Sequence, residues 1–227
     1  MNVLVVAAHP DDEVLGCGGT IARHVRQGDR VSIVILAEGV TSRAVGVSPS
    51  QDASKLKALA EATHRSCAIL GVTDVTLNNF PDNRMDSLPL LDVVKVVEQH
   101  ISRSKPAVVY THHGGDVNID HVITYKAVLA ACRPQPDHPV KTLLSFETPS
   151  STEWQPPLVM SPFAPNWFVD IGATLSIKQK ALHEYNSEMR PWPHPRSHEA
   201  IEHLARWRGS MVGVIASEAF ALARNHY

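Results

Sequence analysis

The chain has no C-x-x-C pair, and its three cysteines, Cys17, Cys67 and Cys132, are scattered over 227 residues. An odd, dispersed set excludes a disulfide framework and points to a reduced, cytoplasmic setting. Long hydrophobic runs are missing too. The apolar start, Val3 to Ala8, has no basic flank and is too short for a signal peptide or a membrane span, so it is expected as a buried strand. There is no basic block: 21 Lys and Arg stand against 23 Asp and Glu, for a formal net charge of −2. Neither nucleic acid nor an anionic membrane is therefore an expected partner. No internal repeat and no low-complexity tail is visible.

What is present is globular, with 44% hydrophobic and 19% charged residues. The length suits one α/β domain, residues 1–227, with the last third, about 149–227, an elaboration of it. Thirteen dispersed histidines point to metal or acid–base chemistry without locating it.

Along the chain, apolar runs alternate with amphipathic stretches. Strands are expected at Val3–Ala7, Val31–Leu36, Val75–Leu77, Ala107–Tyr110 and Lys141–Phe146. Helices are expected at Leu15–Arg26, Gln51–Leu70, Leu88–Ile101 and Ile119–Ala131. In the second of these helices Leu56, Leu59, Ala60 and Ala68 are the expected inner face. A polar loop runs through Ser50, and the Pro- and Ser-rich segment Pro149–Pro165 is expected as a surface loop. Two further helices, Leu175–Met189 and Ser197–Met211, flank 190-RPWPHPRS-197, which proline keeps from being helical. Alternating strands and helices predict a three-layer α/β sandwich around a mostly parallel, Rossmann-like sheet. In such sheets ligands bind beyond the carboxyl ends of the strands. The unusual residues follow strand ends: His9–Glu13, then Glu38, then Asp82 and Arg84, then His112–His121.

The densest local signal is 8-AHPDDEVLGCGGT-20. One histidine, two aspartates and a glutamate within five residues repel one another unless a cation sits among them. Histidine nitrogen and aspartate oxygen suit zinc. The step from His9 to Asp12 lets two side chains converge, while Asp11 points differently and stays free as a base. A polar helix cap accounts for one aspartate but not for the whole cluster. Gly16, Gly18 and Gly19, with Glu38 after the second strand, partly match a dinucleotide-binding fingerprint. Ile21 stands where that fingerprint needs glycine, and the carboxylates would repel a pyrophosphate. Close helix–sheet packing is the better account of the glycines. In the second cluster, 111-THHGGDVNIDH-121, one histidine would complete a three-ligand site with a position open for water. His112, His113 and His121 all remain candidates on these grounds.

HPDDE after a first strand, with a second loop ending in x-D-H, resembles the PIG-L/LmbE-like family of zinc-dependent N-acetylglucosaminyl deacetylases. The motifs span about the first 130 residues. The resemblance implies that His9, Asp12 and His121 hold one zinc ion per subunit, with other divalent ions able to substitute. It also implies that Asp11 is the general base, that an N-acetylated amino sugar or glycoconjugate is the substrate, and that the protein is a homo-oligomer, a trimer or a hexamer. Asp120 is expected to orient a neighbouring group. The chain departs from a common family pattern at Asn118, where many members carry a histidine. Asn118 can donate a hydrogen bond but cannot give a proton to the leaving amine. His194, among prolines, is the candidate for that missing acid, and Arg84, Asn118 and Glu38 are candidate substrate contacts. Two other functions stay in competition: a zinc amidase acting on a non-sugar or thiol-conjugate amide, and a catalytically silent sugar- or nucleotide-binding protein.

Overall fold

Strand β1 (Asn2–Ala7) buries both faces, with Val3, Val5 and Ala7 on one side and Leu4 and Val6 on the other. Burial on both faces requires layers above and below, as in a parallel sheet covered by helices. The computed structural model describes residues 1–41 and 49–226, with side chains from 53 onward in the second stretch. After β1 come α1 (Asp12–Arg26), β2 (Arg30–Ala37), α2 (Pro49–Leu70) and β3 (Asp74–Phe80). Then follow α3 (Leu90–Ser104), β4 (Val108–His112), α4 (Ile119–Ala131) and β5 (Thr142–Phe146). The last third adds β6 (Trp167–Asp170), α5 (Leu175–His183), α6 (His198–Ser210) and β7 (Ser217–Asn225).

The seven strands form one sheet in the order β3-β2-β1-β4-β5-β7-β6. The first five are parallel, whereas β7 runs antiparallel to both β5 and β6. One core cluster packs α1, α2 and α5 residues, such as Ile21, Leu59 and Leu182, on one face. A second packs Val97, Ile101 and Val128 of α3 and α4 on the other. This is the expected three-layer sandwich. The chain leaves β1 toward β2 on one side and returns to β4 on the other, so the gap beyond their carboxyl ends is the topological switch point where such sheets bind ligands.

Strands β6 and β7 were not expected from the sequence. α1 starts three residues earlier than the pattern suggested, because Asp11 caps it with a positive φ of 104° and brings Asp12 into the first turn. α5 stops at His183, and its expected continuation to Met189 is a series of turns. In α2 the inner face is Leu59, Ala62, Thr63, Ser66, Cys67 and Leu70, while Ala68 is exposed. Thr63 and Ser66 tolerate burial because their hydroxyls donate to the carbonyls of Leu59 and Ala181. Gly16 and Gly19 are packing residues. A Cβ on Gly16 would lie 2.2 Å from the Phe146 ring, and one on Gly19 would lie 2.8 Å from Ile171.

α1 is interrupted at Cys17 (φ −148°, ψ 24°). The freed amides of Gly19 and Thr20 donate to the Glu218 carboxylate of β7, at 2.9 and 2.6 Å. Lys178 of α5 pairs with the same carboxylate at 2.6 Å and also donates to the Leu15 carbonyl. Glu218 thus acts as an internal cap, anion to helix N-terminus, and Lys178 neutralises it inside the core.

Candidate active site

Leaving β1, the chain sets His9, Pro10 and Asp11 at the sheet's carboxyl edge. Positive φ at a non-glycine costs roughly 1–3 kcal/mol, and Glu13 supports it at Asp11. Its Oε2 accepts the Asp11 amide at 3.1 Å, while its Oε1 accepts the hydroxyl of the buried Tyr185 at 2.6 Å. The turn aims Asp12 back under His9. Asp12 Oδ2 accepts the His9 amide at 2.9 Å and faces His9 Nδ1 and His121 Nε2, each at 3.2 Å.

The three candidate histidines of the second cluster have different surroundings. His112 Nε2 accepts the Ala8 amide at 2.9 Å, which puts its proton on Nδ1 facing Thr148. Burial and the neighbouring His121 hold His112 well below the usual imidazole range, and its Nε2 lone pair is taken by the Ala8 amide just after β1. His113 points elsewhere and donates to the Ser161 carbonyl. His121 stacks on His112 at 3.9 Å between centroids. Its Nδ1 faces Asp116 at 3.2 Å, leaving the Nε2 lone pair free to face Asp12. Burial would lower the pKa of His121, but Asp12 and Asp116 push it up to about 9. Asp116 also accepts from Ser151 and, at 2.7 Å, from Thr152. Against the upward pull of burial, His121, the Ser151 hydroxyl and the Asn118 amide hold Asp116 at about 2.

Asp12 Oδ1 and His121 Nε2 are buried with no hydrogen-bond partner. Such orphaned atoms are costly, and here they belong to two residues whose side chains meet, Asp12 Oδ2 lying 3.2 Å from both His121 Nε2 and His9 Nδ1. Ligand atoms of His9, Asp12 and His121 all lie within 4.8 Å of one another, so the set fits a divalent cation. His9, Asp82 and Asp120 form a second group of the same tightness. Asp120, however, already accepts the amides of Asn83 (2.7 Å) and Met85 (2.9 Å) and faces His9 Nε2 at 3.0 Å. We therefore take it as the group that orients His9, turning Nδ1 toward Asp12.

Asp11 is 1% exposed, and burial pushes its pKa up to about 7; Asp12 adds to the rise while Arg196 opposes it. Arg196 Nη1 donates to Asp11 Oδ2 at 2.9 Å. A polar cavity of about 60 Å³ opens between His9, Asp11, Asp82, Asn83, Asn118 and Arg196, with Glu188 and Gly39 on its rim. Those two rim residues also border a cleft of about 830 Å³ lined by Val40, Leu59, Lys55 and Arg65.

Not every sequence candidate reaches this cavity. Asn118 does; it also caps α4 by accepting the Asp120 amide and donates to Asn83 Oδ1. Arg84 does not. Asp120 draws the amides of 83 and 85 inward, which leaves the Arg84 side chain exposed and gives the cavity Asn83 instead. Glu38 is half-buried outside the lining, its Oε1 accepting from Thr41. His194 also lies outside it, with Nδ1 accepting the Arg196 amide at 3.0 Å and its ring edge-on to Trp154. The proline-rich loop reaches the site through Arg196. Sequence reasoning missed Arg196, Glu188 and Asn83, whose neighbours along the chain give no sign of what they face. It had Asp116 inside the quoted cluster without assigning it a role.

Among known proteins, the chain is 32% identical over 155 residues to the uncharacterized deacetylase YaiS of Escherichia coli K12, covering 66% of this chain and 75% of that one. It is 28% identical over 162 residues to a probable N-acetyl-alpha-D-glucosaminyl L-malate deacetylase 2 of Bacillus anthracis, covering 70% and 72%. The crystal structure of GalB, a 4-carboxy-2-hydroxymuconate hydratase of Pseudomonas putida KT2440, superposes with a TM-score of 0.77 at 20% identity, over 100% of this chain and 97% of that one. That likeness concerns the fold alone, and a fold does not decide an activity. The PIG-L family model, described as GlcNAc-PI de-N-acetylase, matches residues 4–132; spanning more than half of the chain and both loops of the site, that match shows that this protein belongs to the PIG-L family.

Proposed function

We propose that the protein hydrolyses the acetamide of an N-acetylated amino sugar or amino-sugar conjugate, releasing acetate, with one zinc ion per subunit held by His9, Asp12 and His121. The observation that carries this reading is the pair of orphaned buried atoms, Asp12 Oδ1 and His121 Nε2, in a tight group with His9, which itself lines the cavity together with Asp11. Nitrogen and oxygen donors with three protein ligands match a catalytic zinc site. When bound, the ion polarises the amide carbonyl and acidifies water.

The chain's own residues do the rest. Asp116 holds His121 by Nδ1, and Asp120 holds His9 by Nε2, so both imidazoles keep a fixed tautomer. Asp11 takes a proton from the attacking water as the new carbon–oxygen bond forms. The carbon–nitrogen bond then breaks, and Asp11 returns that proton to the departing nitrogen, since Asn118 has none to give. The small cavity suits the acetamide and the adjoining cleft the remainder of the conjugate. Relatives bearing deacetylase names support this substrate class, the Bacillus anthracis protein by a glucosaminyl malate.

Three free, buried cysteines support a cytoplasmic location. Among the described residues no helix is long and apolar enough to cross a membrane. The position of β7 between β5 and β6 supports a single domain over 1–227. Exposed Trp154, Trp192 and Trp207 support a homo-oligomer, which the family resemblance implies is a trimer or hexamer.

A panel of N-acetylated amino-sugar conjugates, simple acetamides and thiol-conjugate amides, read by acetate release with metal content measured on the same protein, tests this. Acetate from the sugar conjugates, in protein with zinc near one equivalent, is the expected result. Turnover confined to non-sugar amides would move the substrate class. Protein without metal and without turnover would mark a silent binding protein.

A further inference from the structure

Arg196 is held on every side that could let it drift. Its Nε donates to Ser150 Oγ at 2.8 Å, its Nη1 to Asp11 Oδ2 at 2.9 Å, and its amide to His194 Nδ1 at 3.0 Å. Its carbonyl accepts the Arg190 amide at 3.2 Å, closing the loop on itself. The Arg196 side chain is 18% exposed and lines the cavity beside His9 and Asp11. His194 is half-buried, touches Trp154 and lines no part of that cavity.

These contacts divide the loop's work between two residues. A guanidinium keeps its protons at any working pH, so Arg196 cannot serve as the acid. What it can do is fix one oxygen of Asp11 with a charge-assisted bond, leaving the other to exchange a proton with water. His194, acting as an acceptor, fixes the backbone from which the guanidinium reaches.

We propose that Arg196 is a positioning residue for the hydrolysis, clamping Asp11 Oδ2 so that the base presents a single oxygen, and that His194 acts through Arg196 rather than on substrate. This rests on Asp11 being the base of the proposed reaction. The loop 190–197 is then a built part of the catalytic machinery, contributed by the part of the chain beyond the matched family model.

Two sets of measurements on the zinc-loaded protein test it. In kinetics with an N-acetylated amino-sugar conjugate, Arg196→Ala should lower kcat at least tenfold with KM and zinc content nearly unchanged. Guanidinium chloride at non-denaturing concentration should restore part of that loss, and should restore nothing in Asp11→Asn. Arg196→Lys should fall between, keeping the charge without the fork. His194→Ala should lower kcat less than Arg196→Ala, and the double variant should be no slower than Arg196→Ala alone. A rise in KM with unchanged kcat in Arg196→Ala would make it a substrate contact, and independent losses from His194→Ala would give that histidine its own role; either result overturns the proposal. The second set needs no substrate: unfolding midpoints of Arg196→Ala, Asp11→Asn and their double variant should be non-additive. Additive shifts remove the clamp. If the wild-type protein turns over nothing in the panel, the proposed reaction fails by itself, and the unfolding cycle still decides whether Arg196 grips Asp11.

Discussion

His121 faces Asp12 with a bare nitrogen only because its other nitrogen is engaged by Asp116. Replacing Asp116 with Ala should therefore weaken zinc binding about 10- to 100-fold, read by competition with a chromophoric chelator, while His121→Ala should lose the ion. Full occupancy in His121→Ala would assign the third ligand elsewhere. Asp11→Asn should behave in the opposite way, keeping zinc and losing about 10²–10⁴ in turnover; a zinc-loaded, fully active variant would dismiss it as the base. These roles were only partly legible in the sequence. The clustering of His9, Asp11 and Asp12 was visible because the three are neighbours in the chain. The choice among His112, His113 and His121 was not, because what disqualifies His112 is the Ala8 amide 104 residues away. The placing of Arg84 outside the cavity was not legible for a similar reason, since the Asp120 carboxylate decides which residues of that turn face inward.

At the scale of elements, the interrupted helix α1 depends on a strand and a helix from the far end of the chain. Glu218→Ala should leave the Lys178 ammonium buried without its partner and two amides uncapped, costing about 3–5 kcal/mol of stability. Denaturant unfolding measures this, and a loss below about 1 kcal/mol would show that the cap is idle. Replacing both, Glu218→Gln with Lys178→Met, should cost less than Glu218→Ala alone, because no charge is left stranded. The five parallel strands were legible as apolar runs. β7 was not, since 217-SEAFALARN-225 is rich in helix-forming residues, and its pairing with β5 and β6 overrides that propensity. β6 has only four residues and so carries almost no pattern.

For the molecule as a whole, zinc should act as a folding ligand. An ion bound by the native state alone adds about 4 kcal/mol at a thousandfold excess over its Kd, so a chelator should lower the unfolding midpoint and zinc or cobalt should restore it. A midpoint indifferent to both would speak against a resident ion. Assembly is checked by sedimentation: a trimer or hexamer is expected, and a monomer at micromolar concentration would leave the exposed tryptophans to another purpose.

The Glu218 cap also has a temporal side. Helix α1 is made before the carboxylate that fastens it, which follows 199 residues after Gly19. At a synthesis rate of about 5–20 residues per second, that interval is roughly 10–40 s. For that time the Gly19 and Thr20 amides of the interrupted helix have no carboxylate to donate to. The cap closes only once β7 has been made.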